Sequence, residues 1–503
     1  MSQEGHNKLP LEPAALKAYN ASRTLEDTEV VCHAPFNSMY FMPEGQIVPC
    51  CYNRTHLYGK YPETTVEEAW FGQNALDFRE KIISRKFDVG CARCLDQINA
   101  GNNEGVHARI YDRPLAFKEN SDPLSAGLVS QSKVFPEILE FELSNICNLE
   151  CVMCGGMHSH LIRRNREKLP PLQSPYDENF VEQLEPFIRS AKVARFLGGE
   201  PFLIPIYYDI WERFINVNPA AELHITTNAT VLNDRVWRVL NRCRVHPVIS
   251  VDSMDPENYE SIRKNASFST FISNVESLRS FCERRGIQLT FSCCPIQQNW
   301  EHLHGVLRYC NKNNVRLYFN TVVMPETSSL RFLSKNALQK VIKRLSWVLR
   351  TESFRNLFSN SPTSLDNNLV FQNMIAQLRA WHKSKTEVQN SEEDPWVTHL
   401  LNIQGIEIDD KPLNFKLEIF DRLKHELTDD QILVLCRRLF RNDIPKHKDW
   451  VAKNWLEWII SNYNWKSEIQ LKIEPVKNHS SDELYAHFLR IPIEALKEKL
   501  TNL

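Results

Sequence analysis

The sequence predicts an α/β fold built on a parallel sheet, open or barrel-like, across residues 136–325. Three observations lead there. Short strand-like runs alternate with amphipathic helical stretches through that region. The segment before it is rich in cysteine and turn residues, and the segment after it is mostly helical in pattern. A loop with three closely spaced thiols directly follows the first strand-like run, at the sheet end where α/β folds place their chemistry.

Four segments follow in order along the 503 residues. Residues 1–100 open with a short helical lead-in and then carry a first group of cysteines among turns and short apolar runs. Residues 101–135, with GNNEG and KENSDPLSAG, read as a polar linker. Residues 136–325 hold six strand candidates, ILEFELS, VARFLGGE, ELHITTNA, HPVISVDS, IQLTFSCCP and VRLYFNTV. Helical stretches such as DENFVEQLEPFIRSA, NDRVWRVLNRC and FISNVESLRSFCERRG separate them. Residues 326–503 read as helical (LSKNALQKVIKRLSWVL, NNLVFQNMIAQLRAWH, DDQILVLCRRLF) with no assigned role. Six of the eleven tryptophans fall between 381 and 465, Trp455 and Trp458 at helical spacing, which reads as core packing before it reads as a platform for a sugar or peptide.

Composition excludes several classes. At 42% hydrophobic and 24% charged the chain is ordinary and globular. A net charge of -2 supplies no basic field, so no nucleic-acid partner is expected. The start, MSQEGHNKLPLEP, lacks the charged-then-apolar order of a signal peptide, and no apolar run is long enough to span a bilayer. A soluble, cytoplasmic protein without a membrane partner is the expectation. Fourteen cysteines in a reducing compartment, eight of them before residue 155, read as metal ligands rather than a disulfide framework.

The loop SNICNLECVMCGG places Cys147, Cys151 and Cys154 in a C-x3-C-x2-C spacing. A tetrahedral zinc or a fully ligated iron–sulfur cubane takes four protein ligands. Three thiolates on a [4Fe–4S] cubane leave one iron open to a substrate or cofactor; a structural zinc or merely neighbouring thiols is the plain alternative. This loop resembles the signature of radical S-adenosylmethionine (SAM) enzymes. In that family the open iron chelates SAM, an electron from the cluster cleaves the sulfonium, and the 5′-deoxyadenosyl radical abstracts a substrate hydrogen. The resemblance implies a partial (β/α)6 barrel for residues 136–325. It also implies roles at the strand ends. Gly198, Gly199, Glu200 and Pro201 resemble the GGEP motif that meets the SAM amino group, and their glycines would let the backbone approach a ligand. Thr227 and Asn228 resemble the polar pair near SAM, and Ser250 and Asp252 match positions facing the ribose. Arg263 resembles an arginine near the SAM carboxylate, with a solvated helix charge as the competing reading. Met153 stands where the family usually has an aromatic residue near the adenine, and its polarizable thioether can make a similar contact.

Cys32, Cys50, Cys51, Cys91 and Cys94 form the second group. C-x12-G-x4-C followed by C-x2-C resembles the SPASM/twitch modules that bind an auxiliary [4Fe–4S] cluster. Cys32, Cys50, Cys91 and Cys94 are the matching positions, with Cys51 one residue out of step; a zinc ribbon with four cysteines is the alternative. Family members usually carry this module after the barrel, and here it comes first. Two [4Fe–4S] clusters and SAM are therefore the implied cofactors, with an electron donor such as flavodoxin or ferredoxin.

Cys293 and Cys294 are adjacent in the fifth strand candidate and must point to opposite faces. Cys294 falls on the face turned to the lumen, as a candidate hydrogen donor to a substrate radical or a plain packing residue. The run RRNREK at 163–168 reads as a solvated face or cleft rim, and nothing in the spacing makes His158 or His160 a metal ligand. The resemblance implies hydrogen abstraction from a peptide or protein by a maturase-type enzyme, with net oxidation favoured. A small molecule such as an aminocyclitol or sugar is the alternative substrate, and a non-catalytic iron–sulfur or zinc protein the second alternative.

Overall fold

Alternation with a period of two decides how the central strands lie. In the computed structural model the six expected runs form β4 (Ile138–Phe141), β5 (Val193–Phe196), β6 (Glu222–Thr227), β7 (Arg244–Ser250), β8 (Thr290–Cys293) and β9 (Arg316–Phe319). Neighbours pair in parallel in that order. Leu139, Phe141, Ala194, Phe196, Leu223, Ile225, Val245, Ile249, Phe291 and Leu317 share one buried core with the surrounding helices. Each fully buried side chain of this kind contributes roughly 1.5–3 kcal/mol. The alternate positions, among them Glu140, Arg195, His224, His246, Ser250, Ser292 and Tyr318, are polar and line the lumen.

The structure describes residues 11–23, 30–87, 89–112, 134–356 and 362–385. All of these but Lys385 belong to one compact unit, Met1–Ser384; a second unit is Lys385–Leu503. The expectations for DDQILVLCRRLF, KENSDPLSAG, Trp455 and Trp458 lie outside the described residues. Helices start where the chain offers caps: the side chains of Asp177, Asn233, Asp255 and Ser267 each accept a first-turn N–H, worth about 1 kcal/mol apiece. Gly286, in the left-handed conformation (φ 64°), closes the helix Phe268–Arg285.

Both ends of the parallel run are covered. On one side the N-terminal segment supplies β1 (Ser38–Phe41), β2 (Gln46–Val48) and β3 (Gly59–Lys60), giving one nine-stranded sheet ordered β3-β2-β1-β4-β5-β6-β7-β8-β9. β1 pairs in parallel with β4, from Ser38 opposite Ile138 to Phe41 opposite Phe141, so the cysteine-rich segment extends the barrel sheet. On the other side the helix Pro362–Ser384 packs on β9. There Asn367 stands in for a strand: its side-chain oxygen accepts the Leu317 N–H at 2.7 Å and its amide donates to the Val315 carbonyl at 2.9 Å. The same helix reaches the N-terminal segment, where the Gln377 amide and the Trp381 indole N–H both donate to Asp96, at 3.2 and 3.3 Å.

The start of the expected linker is built into the fold. His107–Tyr111 forms a tight 3-10 turn, Tyr111 is buried, and Asp112 pairs with the buried Arg23 at 2.7 Å. Polar composition misread this stretch because its polar groups are satisfied inside the protein rather than by water.

Candidate active site

The cluster loop leaves β4 and is tied down on every side. The Cys147 N–H donates to His160 Nδ1 at 3.1 Å, and the Ser159 hydroxyl donates to the Leu149 carbonyl at 2.7 Å. Arg166 donates to the Cys154 carbonyl at 2.6 Å, so one arginine of RRNREK braces this loop. The loop backbone also pairs with the end of the helix Pro256–Ile262: Val152 N–H to Ile262 O at 3.0 Å and Glu150 N–H to Lys264 O at 3.1 Å. The three thiols therefore come together, Cys147 and Cys151 buried and Cys154 half-buried, with Met153 packed beside them. Burial pushes the Cys147 thiol up to about 12, whereas Cys151 is held low by a hydrogen bond from Cys154 and by the Arg263 charge.

The expected GGEP residues clamp that loop. Gly199 and Glu200 donate their backbone N–H groups to Ser144 O (3.1 Å) and Ile146 O (2.7 Å). A Cβ on Gly199 would lie 2.0 Å from Ile146 O, and Gly198 has φ 84°, so the close approach that needs glycine is to the cluster loop's own backbone. Pro201 opens a buried 3-10 turn. Glu200 is fully buried; one carboxylate oxygen accepts the Thr227 hydroxyl (2.7 Å) and the other the Asn228 N–H (2.7 Å). Burial nevertheless raises it to about 7 against those donors. The Asn228 amide continues the network to Asn148, inside the thiol loop, at 3.0 Å.

Arg263 is 6% exposed, which removes the solvated reading. Its guanidinium lies 2.7 Å from the buried Asp252 carboxylate, while its Nε is buried without a hydrogen bond. Burial works against this charge, but Asp252 and Cys151 outweigh it and raise the group above its usual value. Asp252 also accepts the Cys294 N–H at 3.0 Å. Cys293 is buried in the outer core and Cys294 is half-buried on the opposite face, where burial pushes its thiol up to about 12. Ser250 pairs in register with Ser292 on the same inner face.

In the N-terminal segment Cys32 shares apolar clusters with Cys94 and with Cys50, and Asn53 reaches the sulfurs of both Cys50 and Cys91. Cys32 feels the charges of the other three, and Cys50 that of Cys94. Backbone N–H groups of Asn53, and of His107 and Ala108, reach the sulfurs of Cys50 and Cys94. Cys51 faces away: its sulfur lies 3.0 Å from His107 Nε2 and packs against Tyr40, Met42 and Val48. Among the described residues no three His, Cys, Asp or Glu side chains converge on a single-ion site. The all-thiol composition of the two sets, three in one loop and four in the N-terminal segment, fits iron–sulfur clusters rather than a mixed-ligand single ion.

The Radical SAM superfamily matches residues 141–310, over the barrel and its thiol loop. The chain carries a radical SAM domain. An iron–sulfur cluster-binding domain of the SPASM type matches residues 32–95 and precedes it. A [4Fe–4S] cluster and SAM are the cofactors of the radical SAM domain, and the SPASM domain binds further iron and sulfur. Among curated proteins the chain is similar to GTP 3',8-cyclase of Clostridium botulinum, 22% identical over 168 residues, 33% of this chain and 48% of that one. GTP 3',8-cyclase of Clostridium perfringens is 22% identical over 42% of this chain and 64% of its own. The chain thus spans about half to two thirds of the length of these relatives. Among solved structures, anSMEcpe with bound AdoMet aligns at 18% identity and TM-score 0.35, covering 45% of this chain and 60% of that one. Streptococcus suis SuiB bound to S-adenosylmethionine aligns at 16% identity and TM-score 0.34, covering 52% and 60%.

The radical SAM barrel also holds polar residues that the motifs did not reveal. Glu142 follows β4 and joins the two loops: it pairs with Arg54 of the SPASM segment at 2.6 Å, accepts the Tyr40 hydroxyl, and contacts His158 of the cluster loop at 2.9 Å. Despite burial, these partners lower it to about 2. Glu140, fully buried one inner position earlier, accepts the Tyr111 hydroxyl at 2.7 Å and lies 3.8 Å from Arg195. Charged residues at alternate positions of ILEFELS and VARF were the available signal, since such a residue in a central strand must face an interior site.

Proposed function

We propose that this protein cleaves SAM reductively and takes a hydrogen atom from a peptide or protein, which it oxidises. One observation carries the first half: three thiols of a single loop, two of them buried, stand beside the Asp252–Arg263 pair, whose guanidinium Nε has no hydrogen-bond partner among the described residues. When bound, the cluster and SAM supply a hydrogen-abstracting 5′-deoxyadenosyl radical. Cys147, Cys151 and Cys154 would ligate the iron, and Arg263 would present its free Nε to the SAM carboxylate. Ser250 and Asp252 would face the ribose, and Met153 the adenine. Glu200, Thr227 and Asn228 hold the loop in register rather than offering free groups. The SPASM domain supports a peptide or protein substrate, and its four-thiol site supports an auxiliary cluster that takes the second electron of an oxidation. Flavodoxin or ferredoxin would deliver the first. The name of the curated relatives supports a second reading, a nucleotide-like small molecule.

Anaerobically reconstituted protein is expected to hold about eight irons and to form 5′-deoxyadenosine under a strong reductant. Cys147→Ala, Cys151→Ala and Cys154→Ala should each abolish that product. Zinc in place of iron, with no deoxyadenosine, overturns the reading. Stimulation of turnover by peptides rather than nucleotides or sugars, and a product lighter by two hydrogens, supports peptide oxidation. A product of unchanged formula with one solvent deuterium, lost in Cys294→Ala, would instead make Cys294 a hydrogen donor.

A further inference from the structure

Three arginines around the lumen are each matched by a buried carboxylate: Arg54 by Glu142 at 2.6 Å, Arg195 by Glu140 at 3.8 Å, and Arg263 by Asp252 at 2.7 Å. Arg93 is the exception. Among the described residues it pairs with no carboxylate, and its Nε is buried without a hydrogen bond. The acid on its own helix, Asp96, is occupied by Gln377 and Trp381 on the other side. The guanidinium is nonetheless held in place. It lies 4.0 Å over the Tyr52 ring and donates to the Thr321 carbonyl just beyond β9. Gln97, one turn further along, donates to the Thr321 hydroxyl at 3.4 Å.

Its position is at the junction of the SPASM segment and the barrel, on the Tyr52 ring and against the backbone just beyond β9. The Arg93 charge acts on Cys94 of the SPASM site and on Cys294 of the barrel, and on Tyr52 and Tyr318 between them. A group bound there would sit at the β9 end of the barrel, beside the helix that carries Cys94. We propose that Arg93 is a substrate-anchoring residue that receives one carboxylate of the peptide, with the Tyr52 and Tyr318 hydroxyls beside it. The peptide would enter through an acidic side chain or its C-terminal carboxylate. A single guanidinium without a carboxylate among the described residues, stacked on the Tyr52 ring, matches one negative charge. A phosphate dianion would call for more. This inference rests on the peptide reading above.

A competing duty for Arg93 is to balance the charge of the auxiliary cluster, since Cys94 is one residue away. The test uses reconstituted holoenzyme with SAM and three probes: N-acetylglutamate amide, N-acetylalanine and inorganic phosphate, with N-acetylglutamine amide as the uncharged control. Binding of the three organic probes is read by saturation-transfer NMR, and that of phosphate by its displacement of them. The expected result is that the first or second probe binds in preference to the control, and that Arg93→Gln weakens it about tenfold or more while the protein keeps about eight irons. Arg93→Lys should restore part of the loss. Preference for the amide-capped glutamate assigns the side-chain carboxylate; preference for N-acetylalanine assigns the C-terminus. Stronger binding of phosphate than of either carboxylate overturns the proposal. So does unchanged carboxylate binding in Arg93→Gln with a shifted reduction potential of the auxiliary cluster. Failure of the wild type to form deoxyadenosine would instead remove the reading on which this rests.

Discussion

Asp252 holds Arg263 and Cys294 at once: one carboxylate oxygen lies 2.7 Å from the guanidinium and the other accepts the Cys294 N–H at 3.0 Å. The end of the β7 turn, the end of a helix and the end of β8 are thereby locked beside the thiol loop. Asp252→Asn keeps the shape and the Cys294 bond but leaves a buried guanidinium without its counter-charge, at a cost of about 3–5 kcal/mol. Thermal unfolding of the holoenzyme should show that loss together with weaker SAM binding. An unchanged melting temperature would mean that Arg263 finds its compensation elsewhere.

Glu200 makes stability depend on pH. Burial raises its carboxyl to about 7, so folding takes up a proton between the usual carboxyl range and that value. The contribution is therefore fully present below about pH 4.3 and is lost as pH rises through about 7, a swing of about 3 kcal/mol. Anaerobic denaturant titrations from pH 5.5 to 8.5 should show wild type losing stability toward the alkaline end. Glu200→Gln should flatten that slope. Parallel slopes in the two proteins would assign it to other groups.

Cys50 and Cys51 are neighbours in sequence and strangers in space. Cys50 turns toward Cys32 and Cys94, and Cys51 toward His107. Cys50→Ala is expected to lose about four irons while the SAM-cleaving cluster persists, and Cys51→Ala to keep both. Iron analysis with electron paramagnetic resonance decides it; the reverse pattern moves the ligand by one residue.

Asn367 seals the open edge of the sheet. Asn367→Ala leaves the Leu317 N–H and the Val315 carbonyl without partners, at about 1–3 kcal/mol for each group that stays dry. The unfolding midpoint should fall, and amide exchange at Leu317 should quicken. Unaltered exchange there would show that another group pairs with β9.

Much of this architecture is local and could be read directly. The six parallel strands, the strand-end positions of Gly199, Thr227, Asn228 and Asp252, and the face on which Cys294 lies all follow from a side-chain period of two. The thiol loop is legible because its three cysteines fall within eight residues, Cys147 to Cys154, and need no distant partner to be recognised. The linker was misread for the opposite reason. Asp112 is polar, and its burial is explained by Arg23 and His33, both far back in the chain.

The amino-acid sequence by itself thus determined the strand faces, the two sets of thiols and the kind of chemistry they serve, because spacing along a strand or loop is geometry at short range. Only the tertiary structure decided which surfaces meet. β1 joins β4 across a hundred residues, and Arg93 reaches Thr321 across 228. Contacts of this kind turned Arg263 from a surface charge into a buried one, separated Cys50 from Cys51, and left Arg93 without a carboxylate among the described residues. The direction a side chain faces in a turn, and the charge it finds there, depend on contacts between distant segments, which no local pattern records.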